Sequence, residues 1–119
     1  LVIDDEPGIV DFLERGLRAH GFDIISALDG VSGSEKALAQ DVNLVVLDLM
    51  LPQRSGLEVM AEIHHAKPDL PIIVVTALGE ITQRVTGTEW ATDFVTKPFS
   101  LADLVARIRE QLTGDGQQR

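Results

Sequence analysis

Residues 44–52 read Leu44-Val45-Val46-Leu47-Asp48-Leu49-Met50-Leu51-Pro52. Four successive apolar residues with no polar residue alternating among them predict a short strand buried on both faces, the pattern of a parallel sheet covered by helices. Leu1-Val2-Ile3, Ile72-Ile73-Val74-Val75 and Phe94-Val95 share this character, and Ile24-Ile25 is a weaker fifth run.

Helical patterns fill the intervals. Over Pro7 to Ala19, the apolar Ile9, Val10, Leu13 and Leu17 form one stripe, with proline in the first turn and Gly21 placed to stop the helix. Ser32 or Ser34 is expected to cap a short helix through Leu38. Leu57 to Ala66 presents Leu57, Met60, Ala61 and Ile63 to a core and is ended by Pro68. Ile81 to about Glu89 is predicted as a fourth helix, although Thr82, Thr86, Gly87 and Thr88 have low helix propensity. Ser100 precedes a last helix carrying Leu101, Leu104, Val105, Ile108 and Leu112, with Asp103 as a capping-box variant. Five β-α repeats with right-handed crossovers make an open, doubly wound α/β sheet. Such sheets bind ligands at the carboxyl ends of their strands.

Composition narrows the function classes. The 119 residues suffice for one domain, and 45% hydrophobic residues supply a core. Nineteen acidic against ten basic side chains give a formal charge of −9, which disfavours direct contact with nucleic acid or anionic lipid. Without cysteine there is no disulfide frame and no thiolate metal site. No apolar run is long enough to span a bilayer and no signal-type leader is evident, so a soluble cytoplasmic domain is expected.

The strand ends carry the chemistry. The first strand runs into Asp4-Asp5-Glu6, the third into Asp48, the fourth into Thr76 and the fifth into Lys97-Pro98. Each has a bland reading alone: Asp5 as a helix cap, Thr76 as a strand end, Lys97 as a solvated charge. Four polar residues at one rim favour a site. Asp4, Asp5 and Asp48 with one lysine leave an excess of about two negative charges. A hard divalent cation relieves that excess, and few protein ligands plus several waters describe Mg²⁺ better than Ca²⁺. Asp48 is then a carboxylate nucleophile candidate, Lys97 a charge for a phosphoryl oxygen, and Thr76 a hydroxyl donor to another.

The segments Val2-Ile3-Asp4-Asp5-Glu6, Leu47-Asp48-Leu49-Met50-Leu51-Pro52 with Gly56, Val75-Thr76-Ala77 and Val95-Thr96-Lys97-Pro98-Phe99 resemble the receiver domain of two-component response regulators. The resemblance implies a flavodoxin-like five-stranded parallel sheet of order 2-1-3-4-5 with five helices. It implies that Asp48 accepts a phosphoryl group from a phosphohistidine of a sensor histidine kinase. Asp5 matches a direct Mg²⁺ ligand, Asp4 a ligand acting through water, and the Met50 main-chain carbonyl a third ligand beside Asp48. Thr76 and Phe94 match the switch pair, Lys97 the phosphate-contacting lysine, and the Lys97-Pro98 bond is expected to be cis. The Met50-Leu51-Pro52 run and Leu104 to Arg109 look most like the subfamily preceding a winged-helix DNA-binding domain. Residues 1–113 are accordingly expected to be the receiver and 114–119 a polar tail or linker stub. DNA is expected as a partner only through an effector domain absent from these residues.

Some features depart from the family pattern. The interval from Thr76 to Lys97 is one residue shorter than the common spacing, and Trp90-Ala91-Thr92-Asp93-Phe94 replaces a Gly-Ala-Asp-Asp-aromatic stretch. Thr92 stands for an Asp and Gly114 for a common Arg, while Arg84 with Asp103 and Asp93 with Arg107 remain as pairs for a weak or phosphorylation-dependent homodimer. Trp90 is expected to fill packing space, the alternative being an exposed anchor. His20, His64 and His65 are read as solvated, and Leu78 as a gate to water at the phosphorylated site. Among competing functions, a Mg²⁺-dependent phosphatase lacks its general acid, since Met50 occupies that place. A nucleotide or flavin module lacks a glycine-rich phosphate loop. A receiver working without phosphate is disfavoured because every residue of the chemistry is present.

Overall fold

The computed structural model describes residues 1–52, 54–77 and 90–113. In chain order the elements are β1 (Val2–Ile3), α1 (Pro7–Ala19), β2 (Ser26–Ala27), α2 (Gly30–Ala39), β3 (Val45–Leu47), α3 (Gly56–Ala66), β4 (Ile72–Ala77), β5 (Asp93–Lys97) and α4 (Leu101–Thr113). All neighbouring strands pair in parallel, in the order β2-β1-β3-β4-β5. The expected sheet is therefore present. Four helices lie among the described residues, and the predicted helix over 81–89 falls outside them.

The unbroken apolar runs have a simple cause. Successive strand residues point to opposite faces, and each face here has its own core. Ile3, Val45, Leu47, Ile72 and Val74 pack with Ala37 of α2 and Val59, Met60 and Ile63 of α3. Val2, Val46, Ile73, Val75 and Val95 pack with Leu13 and Leu17 of α1 and Leu104, Val105 and Ile108 of α4. Each fully buried side chain of this size contributes about 1.5–3 kcal/mol, so the strands are too short to hold themselves and are held by the helices on both sides. Among the described residues no helix is long and apolar enough to cross a membrane.

Three local expectations are corrected. The second strand is Ser26–Ala27, not Ile24-Ile25, because pairing with β1 sets its register: Val2 lies opposite Ser26 and Ile3 opposite Ala27. Ile25 instead offers its carbonyl to the Val2 N–H at 3.0 Å. The cap of α2 is Asp29, whose carboxylate accepts the Ser32 N–H at 2.7 Å, so both candidate serines lie inside the helix. Elsewhere the signals hold. Pro7 opens α1, Gly21 at φ +91° turns the chain beyond it, and Ser100 Oγ accepts the Asp103 N–H at 3.0 Å. The Asp103 carboxylate completes no capping box; it meets Arg107 at 3.0 Å.

Candidate functional site

The carboxyl ends of β1, β3, β4 and β5 meet at one rim. Asp4 and Asp48 are 3% and 4% exposed, although each leaves a strand as a charged residue. Both are held by hydrogen bonds to the charged form. Asp4 Oδ1 accepts the Glu6 N–H at 3.0 Å, and Asp48 Oδ1 accepts the Met50 N–H at 2.9 Å. Their second oxygens share one ammonium: Lys97 Nζ lies 3.1 Å from Asp4 Oδ2 and 3.0 Å from Asp48 Oδ2. Lys97 reaches them from the end of β5, where the Lys97-Pro98 bond is cis.

Asp5 is exposed, and the N-cap position of α1 belongs to Glu6, so the capping reading of Asp5 fails. Its carboxylate joins those of Asp4, Asp48 and Glu6, each with one oxygen within 4.8 Å of the others. Glu6 also touches Lys97 Nζ at 3.3 Å. Sequence reasoning gave Glu6 no role; its place in the Asp-Asp-Glu run was the available signal. Four carboxylates against one lysine leave a formal excess of three negative charges, one more than expected. Carboxylate oxygens at one open rim, with the Met50 main chain beside them, are the donors a hard divalent cation takes.

Burial pushes the Asp48 carboxyl above the ordinary aspartate value; the Met50 N–H and Lys97 oppose this, and the Asp4 charge adds to it. Burial pulls the Lys97 ammonium down, but hydrogen bonding and charge from Asp48 and Asp4 outweigh it and hold the group above the ordinary lysine value. The two directions are compatible, because Lys97 faces several carboxylates while Asp48 shares a single cation with Asp4 and Glu6. The ammonium stays charged, and Asp48 is the more readily neutralised partner.

Thr76 is fully buried at the end of β4, and its Oγ1 has no hydrogen-bond partner among the described residues. An orphaned buried hydroxyl costs about 1–3 kcal/mol, so a group arriving at the rim with acceptor oxygens would relieve a standing penalty. Phe94, on the neighbouring strand, is half-buried against the core beside Trp90 and Ala91. Gly56 closes the loop after β3. A Cβ there would collide with Leu49 Cα and lie 2.6 Å from the Asp48 carbonyl oxygen, so only glycine lets the chain pass this close to Asp48.

A receiver-domain profile for response regulators matches residues 1–109. The chain belongs to the response regulator receiver domain family. The receiver is 40% identical over 117 residues to a probable transcriptional regulatory protein, TcrX, of Mycobacterium tuberculosis, covering 98% of this chain and 50% of that one. It is 46% identical over 113 residues to a probable transcriptional regulator, ycf27, of Porphyridium aerugineum, covering 94% of this chain and 47% of that one. The receiver thus spans about half the length of the curated relatives it matches. Among solved structures, the response regulator protein TrrA of Thermotoga maritima, in complex with Mg²⁺-BeF, superposes with a TM-score of 0.87 at 33% identity, covering 93% of this chain and 96% of that one. The receiver domain of NtrX from Brucella abortus superposes with a TM-score of 0.87 at 29% identity, covering 95% and 97%.

At the β5 and α4 face of the receiver, Arg107 Nη1 reaches Asp93 Oδ1 at 2.8 Å and its Nε reaches Asp103 at 3.0 Å. Asp93 and Arg107, one of the two charge pairs named for a homodimer, thus meet within one chain. Trp90 is half-buried, stacked on His64 at 4.9 Å between centroids and 12° between planes, with His65 edge-on at 5.2 Å. Packing is its role here. His64 is correspondingly half-buried and not solvated, because the Trp90 ring covers its face, whereas His20 and His65 are exposed. Leu78, Arg84 and Gly114 lie outside the described residues.

Proposed function

We propose that this receiver accepts a phosphoryl group on Asp48 from a phosphohistidine of a sensor histidine kinase, as the input step of a cytoplasmic transcription regulator. The observation that carries the reading is a buried Asp48 carboxylate, 4% exposed, flanked by a lysine at 3.0 Å, at a rim that also holds a buried threonine hydroxyl without a partner among the described residues. Mg²⁺ would be held by Asp5 and Asp48 directly, by the Met50 carbonyl, and by Asp4 through water. Its contribution when bound is to neutralise charge on the phosphoryl oxygens. An Asp48 carboxylate oxygen forms the bond to phosphorus while the bond from phosphorus to the donor imidazole breaks, and the imidazole leaves with the electron pair and takes up a proton. Lys97 pairs with one phosphoryl oxygen, and Thr76 Oγ1 donates to another. The receiver catalyses this transfer and the later hydrolysis on itself; it is a signalling switch and not an enzyme acting on a separate substrate.

Thr76 moving toward the phosphoryl group frees space behind it for the Phe94 ring, and the change is read on the face that β5 and α4 present. Residues 1–113 form the receiver and 114–119 a linker stub. DNA is reached only through an effector domain outside these residues, and no membrane is involved. Because Arg107 is already paired within the chain, dimerisation through this face is weak or phosphorylation-dependent. A tight dimer of the unphosphorylated protein in light scattering would contradict that.

Incubation with Mg²⁺ and acetyl phosphate tests the reading by intact mass. One phosphoryl gain that is absent in Asp48→Asn supports it. Continuous phosphate release from unrelated esters indicates a phosphatase, and absence of both adduct and Mg²⁺ binding overturns the proposal.

A further inference from the structure

We infer that Arg54, Glu62 and Ser34 form a clasp that sets where the loop after β3 sits at the acidic pocket, making Arg54 a positioning residue for the chemistry of Asp48. The inference rests on the functional reading above and adds residues that the reading does not use.

The described loop residues, 48–52 and 54–55, follow β3 and place the Met50 main chain beside Asp48. Its inner turn is fixed at both ends: the Met50 N–H binds Asp48 Oδ1 at 2.9 Å, and the Gly56 N–H binds the Leu49 carbonyl at 3.0 Å. The outer part of the loop is held from outside. Arg54 Nη1 lies 2.5 Å from Glu62 Oε1 on α3, and the same oxygen accepts the Ser34 hydroxyl of α2 at 2.6 Å. One carboxylate oxygen therefore gathers the loop and two helices. Ser34 is 3% exposed, so its hydroxyl is fixed in the wall behind the pair. Hydrogen bonds from Ser34 first and Arg54 second hold the Glu62 carboxyl below its ordinary value. The start of α2 also rests on the loop, since a Cβ at Gly30 would lie 3.1 Å from Arg54 Cβ and 3.3 Å from the Arg54 carbonyl oxygen.

A purely stabilising role does not account for this arrangement. The two helices already share a core at Ala37, Met60 and Ile63, and Lys67 Nζ ties them again through the Ala37 and Gln40 carbonyls at 2.7 and 3.0 Å. The Arg54 and Glu62 side chains are 31% and 40% exposed, and a pair this accessible contributes little to global stability. Among the described residues it is the one ion pair that reaches from this loop to the helices. Its leverage falls on Met50, four residues from Arg54, whose N–H already binds the acceptor.

The test compares wild type, Arg54→Ala, Glu62→Gln and Arg54→Lys in three measurements: amide hydrogen exchange of the metal-free protein, calorimetric titration with Mg²⁺ alone, and thermal melting. Outer-sphere partners of a metal site typically change affinity by about 10–100-fold, and a partially exposed clasp acting through a loop should fall below that, at about three- to tenfold. Arg54→Ala and Glu62→Gln should weaken Mg²⁺ by that factor and speed exchange at Met50 by a similar one, while β3 and β4 amides and the melting temperature stay near wild type. Arg54→Lys should restore most of the Mg²⁺ affinity. Should Arg54→Ala lose its fold, the near-isosteric Glu62→Gln decides the outcome. Wild-type Mg²⁺ affinity and Met50 exchange in Glu62→Gln overturn the clasp while leaving the functional reading intact. A wild type that binds no Mg²⁺ overturns both.

Discussion

Replacing Asp48 with Asn should stabilise the metal-free receiver, the opposite of what most substitutions at a buried, hydrogen-bonded residue do. The carboxylate is 4% exposed and shares Lys97 with Asp4. At an effective dielectric of ~20, charge pairs near 4 Å interact by about 4 kcal/mol, and the Asp4 repulsion offsets only part of the Lys97 attraction. The largest effect on this carboxyl is the desolvation of a buried ion, several kcal/mol, which outweighs the residual pull of Lys97 and a charged hydrogen bond from the Met50 N–H worth about 1.5–3 kcal/mol. An Asn oxygen keeps that hydrogen bond without the buried charge, and Lys97 keeps Asp4. A net gain of about 1–2 kcal/mol follows, or roughly 4–8 °C in melting temperature for a domain of this size. Calorimetry in EDTA at pH 7 measures it. With Mg²⁺ at ten times its dissociation constant the wild type should recover about 1.4 kcal/mol that the variant cannot fully match. The pH dependence has a definite sign. Because the folded carboxyl sits above its ordinary value, its favourable contribution is present below the unfolded pKa and is lost as pH rises through the folded one. The advantage of Asn should therefore shrink on acidification. An Asp48→Asn protein that melts at or below wild type in EDTA, or a gap that is flat with pH, would refute the electrostatic account of the site.

Other perturbations have equally direct readouts. Thr76→Val removes a buried hydroxyl that has no partner among the described residues and should raise unfolding free energy by about 1 kcal/mol in urea titration, while the proposed phosphorylated form should be destabilised relative to wild type. Gly56→Ala forces a methyl against the Asp48 and Leu49 backbone and should cost about 1–3 kcal/mol, with lower uptake of phosphoryl groups from acetyl phosphate by mass. His64→Ala uncovers one face of Trp90, which should cost about 0.5–1.5 kcal/mol and shift the indole emission to longer wavelength.

Strand runs were legible because burial on both faces leaves an unbroken apolar signature, as in Ile72 to Val75, split alternately between the two cores. The rim residues were legible because polar side chains at the ends of such runs have no packing reason to be there. What the chain order hid is pairing across it. Ile24 and Ile25 look more strand-like than Ser26-Ala27, yet hydrogen bonding to β1 decides which residues form the ladder. Ser32, Ser34 and Asp29 are comparable caps by type, and Ser34 is drawn instead to Glu62, 28 residues away. Glu6 on Lys97 and Arg54 on Glu62 likewise depend on distances that no local pattern encodes.

The division of the strand side chains into two cores bears on how such a domain diversifies. Ile73 and Val75 answer to α1 and α4, Ile72 and Val74 to α2 and α3, and the two residue sets do not overlap. Substitutions on opposite sides of the sheet should therefore be nearly additive in free energy. One flank can accumulate changes that suit a new partner without compensating repairs on the other, and the acidic rim at the strand ends stays in place throughout.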